Sequence, residues 1–428
     1  MNTTQLKEKI KNGGFDGEIK KMYACPEKDV PAYSARFFEV IEGLEENFGK
    51  KDNIRLFSAP GRTEIGGNHT DHQHGCVLAA SLNLDVIGAV ALNGTDVIRI
   101  KSKGYPLDEV NINDLEVDES DFDKAKALIR GIVKKITDMG YTVKGFDAYT
   151  VSNVLKGSGM SSSAAFEVLV GTIINGLFCN AEISAVEIAK IGQYAENVYF
   201  GKPSGLMDQM ASSVGAIVAI DFKDETNPLV TKVDFDFTKT GYSLCIIDSG
   251  ADHADLTAEY ASITVEMREV SNFFGKNYLS EISKDEFMKK IPEIRASLKN
   301  DRAVIRAMHY FDDTVRAREE VAALRENNFD RFLQIVKKSG YSSFMYLQNV
   351  FAASMPKEQA VSLTLALCDE LLGERGAYRV HGGGFAGTVQ AFVPDDMLDS
   401  FKTKIEAVLG KGMCHVLSIR PIGGCEIL

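Results

Sequence analysis

The chain is predicted to fold as two α+β domains, each a mixed sheet covered by helices, that meet near residue 225. Three observations carry this expectation. A length of 428 residues exceeds what one hydrophobic core usually organises. Strand-like text dominates from residue 54 to 100, whereas long charged helical text dominates between about 254 and 336. With 45% hydrophobic and 25% charged residues, the chain also has the composition of a globular protein rather than a disordered one.

The elements follow in order. Residues 1–35 are polar and helix-like in places, carry no recognisable chemistry, and are set apart as an amino-terminal extension. FFEVIEGLEENF (37–48) places apolar residues at helical spacing and ends at a glycine, so it reads as a helix. IRLFSAP, CVLAASLNLDVIGAVAL and DVIRIKS then read as strands. DFDKAKALIRGIVKKITDM (121–139) returns to helical period, and GFDAYTVSNVL reads as a strand entering a Gly/Ser loop. AAFEVLVGTIINGLF and VEIAKIGQYAENVYF are helices, and IVAIDF and SLCIIDS are strands. The last third alternates helix (QAVSLTLALCDELLG), strand (YRVHGGGFAGTVQAFVP), helix (MLDSFKTKIEAVLG) and strand (CHVLSIRPI). No repeat or low-complexity tract interrupts this order, which gives domains at 36–225 and 226–428.

Charge and cysteine content narrow the function. The net charge of −12 argues against a broad nucleic-acid surface, although a nest of backbone N–H groups can still hold an anion locally. Seven scattered cysteines without a CxxC pair fit a reduced, cytoplasmic chain. Neither a secretory apolar stretch nor a membrane-length run of about 20 apolar residues is present, and nothing points to an obligate protein partner.

Four clusters bear chemistry. In VLKGSGMSSSAAFEVLVG (154–171) a strand delivers a Gly/Ser loop to a helix start, where free N–H groups and the helix dipole favour phosphate. Its Ser161, Ser162 and Ser163 either cap that helix or reach a phosphate or metal, and the absence of GK[ST] excludes a Walker A loop. In ENVYFGKPSGLMDQMASSVG (196–215), Asp208 is either a helix N-terminal charge or a base for a substrate hydroxyl. RVHGGGFAGTVQAF (379–392) marks a turn or a close backbone approach. GRTEIGGNHTDHQHG (61–75) is either a polar turn beside a buried strand or a set of hydrogen-bonding groups for a polyhydroxyl ligand.

In this order and at these separations, the four clusters resemble the GHMP family of small-molecule kinases, and within it the galactokinase branch. The resemblance runs from about residue 37 to the carboxyl end, carried by KGSGMSSSAA, by GLMDQ against the family's GIMDQ, by GGGFAG, and by the opening run against GRxNLIGEHTDYNxG. It implies the two-domain GHMP kinase fold with the active site in the interdomain cleft, and ATP-dependent phosphorylation of the anomeric hydroxyl of galactose or a galactose-like sugar. Asp208 matches the catalytic base, and Arg62 the arginine that pairs with it and neutralises charge developing on the phosphoryl group. Ser163 and Glu196 match the Mg2+ ligands, a hard-oxygen pair suited to an ion that also binds ATP phosphates. Gly157, Ser158, Gly159, Met160, Ser161, Ser162 and Ser163 would wrap those phosphates. Asn68, His69, Thr70, Asp71, Gly205 and Tyr260 fall on the sugar-binding segments.

The signature also departs from the family. The asparagine of GRxN is Glu64, the glutamate of GEH is Asn68, and the Tyr-Asn after the aspartate is His72-Gln73. In the family that glutamate helps hold the sugar near its C6 hydroxyl. An amide there removes a strong acceptor and adds a donor, so a sugar with an altered C6 end, galacturonate included, becomes an expected alternative. A second alternative is a sugar and ATP sensor without turnover, which would need no base.

Overall fold

The computed structural model describes residues 1–155, 159–202, 204–224, 226–251 and 256–427. Three helices open the chain: α1 (Thr3–Lys11), α2 (Asp16–Tyr23) and α3 (Val30–Phe48). A run of strands follows, β1 (Arg55–Gly66), β2 (Cys76–Leu92), β3 (Val97–Ser102) and β4 (Leu107–Asn111). Then come α4 (Ala125–Asp138), β5 (Phe146–Ser152), α5 (Ser162–Phe178), α6 (Ala185–Tyr194) and α7 (Met207–Val214). Next are β6 (Ile217–Asp221), β7 (Leu229–Val233) and β8 (Tyr242–Asp248), and a helical block of α8 (Thr257–Phe273), α9 (Lys284–Leu298), α10 (Asp301–Arg325) and α11 (Phe329–Ser342). The chain ends with α12 (Ala360–Leu372), β9 (Ala377–Val380), β10 (Thr388–Pro394), α13 (Leu398–Leu409), β11 (Cys414–Leu417) and β12 (Cys425–Glu426).

The first sheet has the order β12-β1-β2-β5-β3-β4, with β6 pairing β2 and β7; all its pairs are antiparallel except β3 with β5. The second, antiparallel throughout, runs β11-β8-β10-β9. The α+β expectation therefore holds. The boundary expected at residue 225 falls between β6 and β7, which pair with each other, and β12 returns to the first sheet from the carboxyl end.

Period-2 alternation explains why β2 is apolar on both sides. Leu78, Ala80, Leu82, Val86 and Val90 enter the central core with residues of α4 and α5, whereas Ile87, Ala89 and Ala91 face the opening helices. The central core also takes in Leu244, Ile246, Phe332 and Phe392, so one apolar cluster spans both sheets. Residues 1–35 are not a loose extension. Leu6, Ile10, Phe15, Ile19, Met22 and Tyr23 pack with α3 over the first sheet. Among the described residues no helix is long and apolar enough to cross a membrane.

Candidate active site

GRTEIG is strand, not turn. β1 continues through it paired with β2, with a register shift between Pro60 and Arg62. Such irregularities re-aim side chains. Gly61 keeps the strand clear of the following loop, since a Cβ there would stand 3.1 Å from Met160 O. The Arg62 backbone N–H donates to that same carbonyl, which ties the strand to the loop before α5.

Arg62 and Asp208 form the centre of the site. The guanidinium is buried, and its Nε and Nη2 lie 2.7 and 2.6 Å from Asp208 Oδ1. Its Nη1 donates to the carbonyl of Gly159. Asp208 stands in the first turn of α7, and its other oxygen accepts from the Ser161 hydroxyl. Ser161, at φ +54, is held in the left-handed region just before α5. Ser162 and Ser163 open that helix, partly exposed, where unpaired N–H groups favour a phosphate. Met160 is fully buried, and Gly157 and Ser158 lie outside the described residues.

Asp71 approaches from the other side. It begins a short 3-10 turn, Asp71–Gln73, and lies so close to Gly205 that a Cβ there would stand 2.6 Å from Asp71 Oδ2. Gly205 thus contributes by lacking a side chain. Burial pushes the Asp71 carboxyl above its ordinary value; nearby His69 opposes this and Asp208 adds to it. His69, at φ +56, places Nε2 2.9 Å from the carbonyl of Gly383. Tyr260 donates its hydroxyl to Gly384 O at 2.9 Å and packs edge-on against Phe385. Gly383 permits this, because its Cβ would meet Tyr260 Cε1 at 2.5 Å. Gly159, Tyr260, His381, Gly383 and Thr388 line a cleft of about 240 Å³ between the residues before α5 and the late glycine turn.

Two expected sugar contacts are instead internal. Thr70 is fully buried, with its hydroxyl shared between the carbonyls of Gly67 and Cys76. Asn68 is 0% exposed, and both amide hydrogens are donated inside the protein, to Glu64 Oε1 at 2.9 Å and Gly382 O at 2.7 Å. Its Oδ1 accepts from Asn349 at 2.8 Å. The structure therefore does not present the Asn68 amide to the cleft.

A second group of carboxylates lies behind Asp208. Gln209 Nε2 donates to Glu167 Oε2 at 2.9 Å and to Glu196 Oε2 at 2.8 Å, both carboxylates being buried. Glu167 Oε1 and Gln209 Oε1 have no partner. Burial pushes Glu167 well above the usual range, and Glu196 and Asp208 add to this. Ser163, Glu196 and the unpartnered Glu167 oxygen are hard oxygen donors, a chemistry that suits Mg2+ better than a soft metal, although Glu196 here faces Lys202 at 3.4 Å as well as Gln209. Among the described residues no three His, Cys, Asp or Glu side chains gather into a metal-binding group. Glu167 was missed in the sequence, although it is the only charge in the apolar helix α5.

The chain is similar to known proteins over most of its length. The family described as GHMP kinases N terminal domain matches residues 127–216, and the galactokinase galactose-binding signature matches residues 42–92. A galactokinase of Glaesserella parasuis is 31% identical over 370 residues, covering 85% of this chain and 91% of that protein. A galactokinase of Bacillus subtilis is 27% identical, with 86% and 92% covered. The crystal structure of Lactococcus lactis galactokinase complexed with galactose superposes with a TM-score of 0.76 at 23% identity, over 90% of this chain and 98% of that one.

Proposed function

The chain belongs to the galactokinase family of GHMP kinases, a sugar kinase that draws on ATP, and on that premise we propose that it transfers the γ-phosphoryl group to the C1 hydroxyl of galactose with Asp208 as base. The observation that carries this reading is the contact of Asp208 with both Arg62 and Ser161. A carboxylate so placed sits between the phosphate loop and the Asp71 side of the cleft, where it accepts the proton of an attacking hydroxyl. Arg62 balances negative charge on the transferring group, and the first turn of α5 holds the nucleotide phosphates. His69, Asp71 and Tyr260 orient the sugar. Ser163 and Glu196 would hold Mg2+, which when bound neutralises phosphate charge. Seven unpaired cysteines fit a reducing, cytoplasmic setting.

Galactose takes precedence over galacturonate because Asn68 has already donated both amide hydrogens within the protein and offers none to a C6 carboxylate. The test is ADP release from Mg-ATP with galactose, galacturonate, N-acetylgalactosamine, arabinose and glucose, with 31P NMR to locate the new phosphate. Galactose 1-phosphate is the expected product. Replacing Asp208 by Asn is expected to lower kcat by about 10²–10⁴-fold. An Asp208→Asn enzyme that keeps most of its kcat removes the base role.

A further inference from the structure

Glu64 and Asn68, two of the departures in the signature, touch each other. Asn68 Nδ2 donates to Glu64 Oε1 at 2.9 Å, and the same oxygen accepts Arg379 Nη2 at 2.7 Å. In the pattern GRxNLIGEH the amide and the acid occupy these two positions in the opposite order. We propose that Glu64 and Asn68 are a reciprocal exchange of one buried carboxylate–amide pair, and that the pair positions His69 and Asp71 for the sugar instead of contacting the sugar itself. The positioning half of this rests on the reading of the cleft as a sugar site.

Chemistry favours exchange over two unrelated changes. One Glu and one Asn occupy the same combined length and carry the same combined charge in either order. Either change alone is costly. Asn at 64 strands Arg379, which is wholly buried and whose other bonds are to the carbonyls of Ile65 and Val380. Glu at 68 sets a second carboxylate against Glu64 in a buried place.

Geometry assigns the positioning role. All four polar groups of Asn68 are engaged inside the protein. Its N–H donates to Asp313 Oδ2 at 2.9 Å, and its carbonyl lies 2.9 Å from His309 Nε2. Its Nδ2 bonds Glu64 and Gly382, and its Oδ1 bonds Asn349 and Ser343. The next residue is His69 at φ +56, a conformation that persists only where its surroundings enforce it. Asn68 therefore fixes the backbone from which His69 reaches Gly383 O and, two residues on, Asp71 reaches Gly205. With the acid withdrawn onto Arg379, neither member of the pair is free to discriminate at the C6 end.

The test compares the wild type with E64N, N68E and the E64N/N68E double variant, reading Tm without ligand and KM for galactose and for ATP. Each single variant is expected to lower Tm and to raise the galactose KM about tenfold or more, with the ATP KM within about twofold. The double variant is expected to regain more than half of the lost Tm and most of the galactose KM, a non-additivity diagnostic of contact. If the single variants do not fold, folding of the double variant alone supports exchange. A double variant that is unfolded, or as impaired as the two singles summed, overturns it. Sugar and ATP KM rising together overturns the positioning role. A wild type without turnover refutes the functional reading, while the Tm comparison still decides the exchange.

Discussion

Asp71 and Asp208 lie close enough to repel each other, and their surroundings differ. Asp208 has a guanidinium at 2.6 Å, whereas Asp71 is raised first by burial and then by the charge of Asp208. Ionising Asp71 therefore costs the folded state. Its contribution to stability is complete below the ordinary aspartate value of about 3.9 and is lost as pH rises through the raised value. In the sugar-binding role proposed for Asp71, pH acts the other way, because only the carboxylate accepts hydroxyl hydrogens at both oxygens. Galactose KM is thus expected to rise on acidification at a pH above the ordinary aspartate value, while ATP KM stays flat. Steady-state kinetics across pH would show this, and Asp71→Asn should abolish the dependence. A galactose KM that worsens toward alkaline pH would remove Asp71 as the acceptor. At Arg62, three nitrogens serve Asp208 and Gly159 together. A lysine keeps the charge but not this fork, so Arg62→Lys should lose about 10–100-fold in kcat/KM, or about 1.4–2.8 kcal/mol of barrier.

At the scale of elements, α10 meets β1 at Gly66. A Cβ there would stand 1.8 Å from Glu320 Oε2 and 2.6 Å from its Cδ, so Gly66→Ala must displace the buried Glu320 carboxyl and should cost about 1–3 kcal/mol in urea unfolding. Glu320 is fully buried with neither oxygen bonded, and burial holds its carboxyl well above the usual range, with Arg379 opposing and Asp313 and Glu64 adding. Its stability contribution is present at acid pH and lost as pH rises through that raised value. Glu320→Gln should therefore raise Tm at pH 8 and leave it little changed near pH 5. The individual helices and strands here were legible from periodicity, and the helix start after the Gly/Ser run and the place of Asp208 in the first turn of α7 from local pattern. What was not legible depends on partners distant in sequence. The polar run at 61–66 read as an alternative between turn and ligand cluster because its strand pairing with 78–81 is invisible locally. Asn68 read as a sugar contact because Asp313, Asn349 and Gly382, which occupy its polar groups, stand more than 240 positions away. β12, two residues long, has no pattern to detect.

Across the whole molecule, the opening helices and the closing segment meet on one buried charge. Asp85, on β2, accepts from Tyr23 and Ser58 at 2.5 Å, from Arg36 at 2.5 Å and from Arg420 at 2.9 Å. Burial alone would push its carboxyl up, but Arg36, Arg420 and the hydroxyls of Ser58 and Tyr23 bring it below the ordinary value. This contribution is present at neutral pH and lost as pH falls through the depressed value. The segment before residue 36 thereby has a physical task, since Tyr23 joins α2 to the central sheet and to the Arg420 segment that precedes β12. Removing the Tyr23 hydroxyl leaves three donors on Asp85, so Tyr23→Phe should cost about 1.5–3 kcal/mol. Arg420→Met takes away a wholly buried cation and should cost about 3–5 kcal/mol. Neither residue touches the Arg62–Asp208 pair, so kcat and both KM values of folded Tyr23→Phe enzyme should match the wild type while its urea midpoint falls. Loss of turnover at unchanged stability would instead mean that the opening helices act on the cleft itself.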